Sequence, residues 1–120
     1  MFRKASKPYS LYVLQAVKSI KQHIEANPFH YKRSADLLDH LCMPNRNSVE
    51  RAFKDLFGVG IKEFQVRQRL EVSKEFLEEG MTKKQVASKC FYSSQSAFAA
   101  AFKKEFNMTP SEWQVLRAVV

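Results

Sequence analysis

The sequence predicts an all-α fold made of two similar helical subdomains joined by one long helix. Three observations carry that expectation. Apolar residues recur at spacings of three and four along most of the chain, and no alternating stretch long enough to be a strand interrupts them. The second half also repeats the first at an offset of 49 residues, the distance from Asn45 to Ser94. The composition agrees: 120 residues, 45% of them hydrophobic, with ten Phe and only three Gly, suit one compact unit or two small ones built of packed helices.

The first helix is expected from Pro8 to about Asn27, where Val13, Val17, Ile20 and Ile24 form one stripe and "ANP" ends it. Ser34 is the expected N-cap of "SADLLDHL". "MPN" then breaks the chain, with Met43 and Pro44 disturbing the turn, before a helix from about Asn45 to Phe57 that Gly58 and Gly60 close. In it Val49, Ala52, Phe53 and Leu56 fall at i, i+3, i+4 and i+7, the spacing of a buried stripe. The long helix is placed at about 62–79, with Val66, Leu70, Ser73 and Leu77 on one face and Gly80 just past its end. It would span ~27 Å at 1.5 Å per residue. Thr82 is the expected cap of the next helix. After a short turn, "SSQSAFAAAFKKEF" gives a helix over 94–105 that buries Phe98, Ala101 and Phe102.

At the 49-residue offset Val49 falls on Phe98, "FK" at 53 and 54 on "FK" at 102 and 103, Phe57 on Phe106, and Gly58 on Asn107. Phe64 likewise falls on Trp113, Leu37 on Val86 and Leu41 on Cys90. The expected organisation is therefore a first helix-turn-helix subdomain at 8–60, a linker helix at 61–80 and a second subdomain at 81–116.

Charge narrows the function first. Twenty Lys and Arg stand against 12 Asp and Glu, a net charge of +8 with an isoelectric point near 9.7, which points to a polyanion such as DNA, RNA or anionic lipid. The faces left outside the apolar stripes then choose among these. In the first unit they carry Arg46, Asn47, Glu50, Arg51 and Lys54. Arg and Asn match the paired donors and acceptors of guanine and adenine edges in the major groove, and Lys54 is better placed for phosphate. In the second unit the face carries Ser94, Gln95, Ser96, Ala99, Ala100, Lys103 and Lys104, with Ala100 standing where the first unit has Arg51. Charged side chains on one exposed helix are ordinary. Two copies with the same spacing in a basic chain point to double-stranded DNA.

Other classes find little support. Cys42 and Cys90 have no CxxC spacing and read as two buried reduced thiols. His23, His30 and His40 show no spacing tied to a carboxylate or cysteine, so neither a metal site, a cofactor nor catalytic residues are expected. No apolar run approaches the ~20 residues of a membrane span, and "MFRKASKPYS" lacks an apolar signal core, which makes a cytoplasmic, nucleoid-associated protein the expectation. The runner-up readings are a basic helical protein-interaction module and a DNA-binding appendage of a larger sensor or repair protein. Val115, Leu116, Val119 and Val120 would then supply a docking patch.

Residues 20–114 resemble the DNA-binding domain of the AraC/XylS family of bacterial transcription regulators. The first unit carries the pattern through Arg51, Phe53, Lys54, Gly58, Arg69 and Leu70. The second carries it through Ala87, Ser96, Phe98, Phe102, Lys103, Thr109 and Pro110. It departs where the family usually has Gly-Phe and this chain has Phe91 and Tyr92, where an arginine is replaced by Ala100 and a glycine by Asn107, and where Tyr-Arg becomes Trp113 and Gln114. The resemblance implies two reading helices entering successive major grooves about one turn apart, ~34 Å, on an asymmetric bipartite site. It also implies contact with RNA polymerase, since members usually activate transcription. Many members carry a sensing and dimerising domain ahead of this one; the residues before Pro8 are too few to form it, so a stand-alone regulator or a piece of a larger one is expected.

Overall fold

The structure, a computed structural model, describes residues 9–41 and 45–119. Among them are seven α-helices and no strand: α1 (Leu11–Ala26), α2 (Ser34–His40), α3 (Arg46–Phe57), α4 (Ile61–Glu78), α5 (Lys83–Lys89), α6 (Gln95–Phe106) and α7 (Pro110–Val119). Cys42 and the Met43–Pro44 break lie outside the described residues. The chain divides into two compact units, the first ending at Gln68 and the second beginning at Arg69, so the boundary falls inside α4.

In the first unit α1 packs on α3. The α1 stripe of Val13, Ala16, Val17, Ile20 and Ile24 meets Leu37, Leu38, Val49, Ala52, Phe53 and Ile61 in one core. Ser10 starts α1 by accepting a hydrogen bond from the Val13 N–H at 3.1 Å, which satisfies one of the donors a helix start leaves over. Ser34 does not cap α2: it is the first helical residue, and Arg33 precedes it without a side-chain cap bond. Leu56, expected inside, is 39% exposed. It lies within the α3 stripe by angle but in the last turn, one residue before the helix ends at Phe57.

In the second unit α6 packs on both α5 and α7. Leu70, Leu77, Val86, Ala87, Cys90, Phe98, Phe102 and Pro110 are buried, while Ala101 is only half-buried. Thr82 and Gln85 complete a capping box on α5, and Ser94 caps α6 by accepting from the Ala97 N–H at 3.0 Å.

The helix α4 departs from a single apolar stripe. Leu70, Ser73 and Leu77 are buried as the spacing predicts, but Gln65 and Arg69 are buried too, and Val66 is half-buried. Each polar group finds a use. Gln65 Nε2 donates to the Tyr31 carbonyl at 3.3 Å, and Ser73 Oγ donates to the Leu70 carbonyl at 2.5 Å, as buried polar groups must.

The internal repeat holds in structure to the residue. The starts and ends of α2 and α5, and of α3 and α6, match at the 49-residue offset, as do the starts of α4 and α7. Phe53 and Phe57 meet edge-on at 4.9 Å, and Phe102 and Phe106 at 4.6 Å. Phe53 meets Phe64 at 5.6 Å, and Phe102 meets Trp113 at 6.3 Å. Gly58 (φ 83°) and Asn107 (φ 62°) both end their helices in the left-handed conformation, so Asn107 does the work of the glycine it replaces.

Candidate nucleic-acid interface

The helices α3 and α6 each turn an apolar stripe inward and leave a second stripe uncovered. In α3, Val49, Ala52 and Phe53 are buried, while Asn47, Arg51 and Lys54 are exposed one turn apart. In α6, Phe98 and Phe102 are buried, while Gln95, Ser96, Ala100, Lys103 and Lys104 are exposed and Ala99 is half-buried. At 100° per residue these outward stripes follow directly from the inward ones.

The two arginines of α3 differ. Arg46 is half-buried, its Nη1 is 3.3 Å from Asp39 Oδ1, and its Nε is 3.7 Å from Glu50 Oε2. Those two contacts engage its Nη1 and Nε, so the two carboxylates compete with a nucleic acid for that edge of the Arg46 guanidinium. Arg51 is exposed and takes part in no ion pair among the described residues. Its planar fork is available to a bidentate acceptor. Beside it lies an open depression of about 370 Å³ lined by Glu50, Arg51, Lys54, Asp55, Gly60 and Ile61.

The turn before α6 explains how Phe91 and Tyr92 stand where a resembling sequence has Gly-Phe. Phe91 takes φ 69°. Its N–H donates to the Ser88 carbonyl at 3.1 Å, and the Tyr92 N–H donates to the Ala87 carbonyl at 2.9 Å. This is the Schellman ending, with a phenylalanine in the position that favours glycine. The buried Arg69 guanidinium lies 4.7 Å from the Phe91 ring, a desolvated cation–π contact that offsets part of the backbone cost. The turn is therefore kept. Behind it a depression of about 430 Å³ is lined by Lys84, Ser88, Tyr92, Ser93, Ser94 and Gln95.

Three features were not legible as site features in the sequence. Tyr9 donates a hydrogen bond to Asp55 of α3, Asp39 holds Arg46, and Lys84 shares a depression with the start of α6. All three join residues distant along the chain or on different helices. The histidines, scattered in sequence, also gather: His30 Nδ1 is 3.1 Å from His23 Nε2, and Tyr31 stacks on His30 and meets His23 and His40. Among the described residues no group of three or more His, Cys, Asp or Glu is arranged to hold a metal ion. No helix among them is long and apolar enough to cross a membrane.

The family described as a helix-turn-helix domain matches residues 37–115, which run from within α2 to within α7 and include the whole of α3, α4, α5 and α6. The chain belongs to the AraC/XylS family. This AraC-type domain is 29% identical over 96 residues to the probable transcriptional regulator LumQ of Photobacterium leiognathi, covering 79% of the chain and 37% of that protein. It is 29% identical over 104 residues to the xylose operon regulatory protein of Haemophilus influenzae, covering 86% of the chain and 26% of that protein. The probable transcription factor PqrA of Proteus vulgaris is 36% identical over 67 residues, 55% of each. The chain thus spans roughly a quarter to a half of the curated relatives it matches. Its fold is similar to the C-terminal domain of AraT, a response regulator from Geobacillus stearothermophilus, with a TM-score of 0.66, 20% identity, and coverage of 89% of this chain and 86% of that one.

Proposed function

We propose that this AraC-type domain binds duplex DNA sequence-specifically as part of a transcription regulator. In this reading α3 and α6 enter successive major grooves, and α3 reads most of the sequence. The observation that carries it is the contrast between two helices of equal length and like closure, 49 residues apart: α3 exposes Asn47 and Arg51, whereas α6 exposes Ser96 and Ala100 at the matching positions. Arginine and asparagine discriminate base edges, alanine offers a methyl to thymine, and Lys54, Lys103 and Lys104 supply phosphate contacts that carry no sequence. The α6 unit would then act mainly as a positioning element, with Gln95 and Ser96 making one or two polar base contacts.

Support also comes from the net charge of +8 and from relatives named as regulators. RNA polymerase and an effector-sensing domain are further proposed partners on the family resemblance, and a cytoplasmic, nucleoid-associated location follows from the same reading.

Selection from a random duplex library tests this proposal. The expected site is asymmetric, with strong preferences in the half facing residues 46–51 and weak, A·T-leaning ones in the half facing 95–100. Ala100→Arg should sharpen the weak half, since arginine is a good helix former on an exposed face. A selected site of equal strength in both halves, or footprinting that protects one major groove only, would remove the division of labour.

A further inference from the structure

The two units repeat each other in structure but not in charge. Residues 33–57 hold Arg33, Arg46, Arg51 and Lys54 against Asp36, Asp39, Glu50 and Asp55, and so balance. At the 49-residue offset those acids become Gln85, Ser88, Ala99 and Lys104. Lys83, Lys84 and Lys89 of α5 stand where α2 has Ser34, Ala35 and His40. Residues 82–106 thus hold five lysines against one acid, Glu105, a net charge of +4.

The pairing differs as well. In the first unit Asp36 is 3.1 Å from Arg33, and Asp39 and Glu50 engage Arg46. In the second, Lys84, Lys103 and Lys104 are exposed and make no ion pair among the described residues. Lys84 lines the depression of about 430 Å³ at the start of α6 beside the exposed Ser88 and Ser93, and no acidic residue shares that lining. The depression beside α3 takes in Glu50 and Asp55.

We propose that the sequence-independent grip of this domain on DNA is held chiefly by the second unit, with Lys84 of α5 as a phosphate-contacting residue, and that Asp36 and Asp39 of α2 keep the first unit from adding to it. This inference rests on the duplex-binding reading given above and assigns the residues behind affinity, as distinct from those behind sequence. Phosphates present the same charge in every sequence, so each lysine that neutralises one strengthens binding to all duplexes alike through counterion release. Lysine brings three rotatable donors to such a contact, and the Ser88 and Ser93 hydroxyls beside it can donate to the same oxygens. A unit whose charges cancel gains little from this term and must bind through base edges, so sequence decides whether it stays.

Affinities for the selected duplex and for an unrelated one, measured between about 50 and 200 mM salt, test this. Lys84→Gln should weaken both duplexes by a similar factor, about three- to tenfold near 100 mM salt, and make the log–log slope shallower by about one. Lys84→Arg, which keeps the charge, should retain the slope. Lys18→Gln makes the same charge change on the exposed side of α1 and should leave the slope nearly unchanged. Asp36→Asn with Asp39→Asn should tighten both duplexes and steepen the slope. An unchanged slope in Lys84→Gln, a loss confined to the selected duplex, or equal effects from Lys84→Gln and Lys18→Gln overturns the assignment of Lys84. No tightening in the aspartate variant overturns the role given to Asp36 and Asp39. Absence of salt-dependent duplex binding in the wild type is a separate result, which removes the duplex-binding reading itself.

Discussion

Two arginines five residues apart on α3 show how little a residue type says about availability. Arg46 is engaged by Asp39 and Glu50, and Arg51 is exposed and makes no ion pair among the described residues. Arg51→Ala should therefore cost ~1–3 kcal/mol of affinity for the selected duplex and little for an unrelated one, if it makes a bidentate guanine contact. Lys54→Ala should weaken both about equally and lower the salt slope by about one; equal, sequence-blind losses from both substitutions would reduce Arg51 to a phosphate holder. A second residue responds to pH. Burial pushes the Cys90 thiol from 9.0 up to about 11, against the pull of Arg69 and Lys89, and burial raises the nearby Tyr92 phenol as well. A folded-state pKa above the unfolded one means that the stability is intact below about pH 9 and is lost as pH rises toward about 11. Denaturant midpoints at about pH 8 and pH 10.5 should fall further in the wild type than in Cys90→Ala.

Two helix endings at the scale of elements solve the same problem with different residues. At the end of α4 the Gly80 N–H donates to the Leu77 carbonyl and the Met81 N–H to the Phe76 carbonyl, with Gly80 at φ 95°. The ending of α5 repeats that pattern through Phe91 and Tyr92, with Phe91 in the left-handed region. A side chain there costs about 1–2 kcal/mol of backbone strain, and the ring over Arg69 is what this chain sets against it. Phe91→Ala and Phe91→Gly both lose the ring, but only alanine keeps the strain. Phe91→Gly should therefore be the more stable of the two by about 1 kcal/mol in chemical denaturation. Equal stabilities would mean that the turn relaxes and stores no strain.

For the whole molecule the governing quantity is the net charge of +8. Neutralising about six phosphates would give a log–log slope of roughly −5 for duplex affinity against salt. Titrations between about 50 and 200 mM salt measure it directly. A flat response would remove DNA as the main partner. Each unit closes its own core around its own part of α4, with Ile61 in the first and Leu70, Ser73 and Leu77 in the second. The long helix is thus a structural member of both units.

Local physics made most of the fold legible in the sequence. Periods of three and four placed the helices, Thr82 and Gly58 marked ends that the structure keeps, and the 49-residue repeat predicted matching bounds that hold to the residue. The outward stripes through Arg51 and Ala100 followed from the inward ones, because one helix period fixes both faces. Tertiary structure alone decided the rest. Gln65 and Arg69 are buried although their polarity reads as surface, because each meets a partner far along the chain: Gln65 donates to the Tyr31 carbonyl, and the Arg69 guanidinium lies against the Phe91 ring. Leu56 is exposed although the helix period turns it inward, at the last turn of α3. Which arginine is occupied, and that Tyr9 reaches Asp55, depend on contacts between residues 7 and 46 positions apart. Helix periodicity carries no information from one element to the next; only the packing of one element on another brings such side chains within hydrogen-bonding distance.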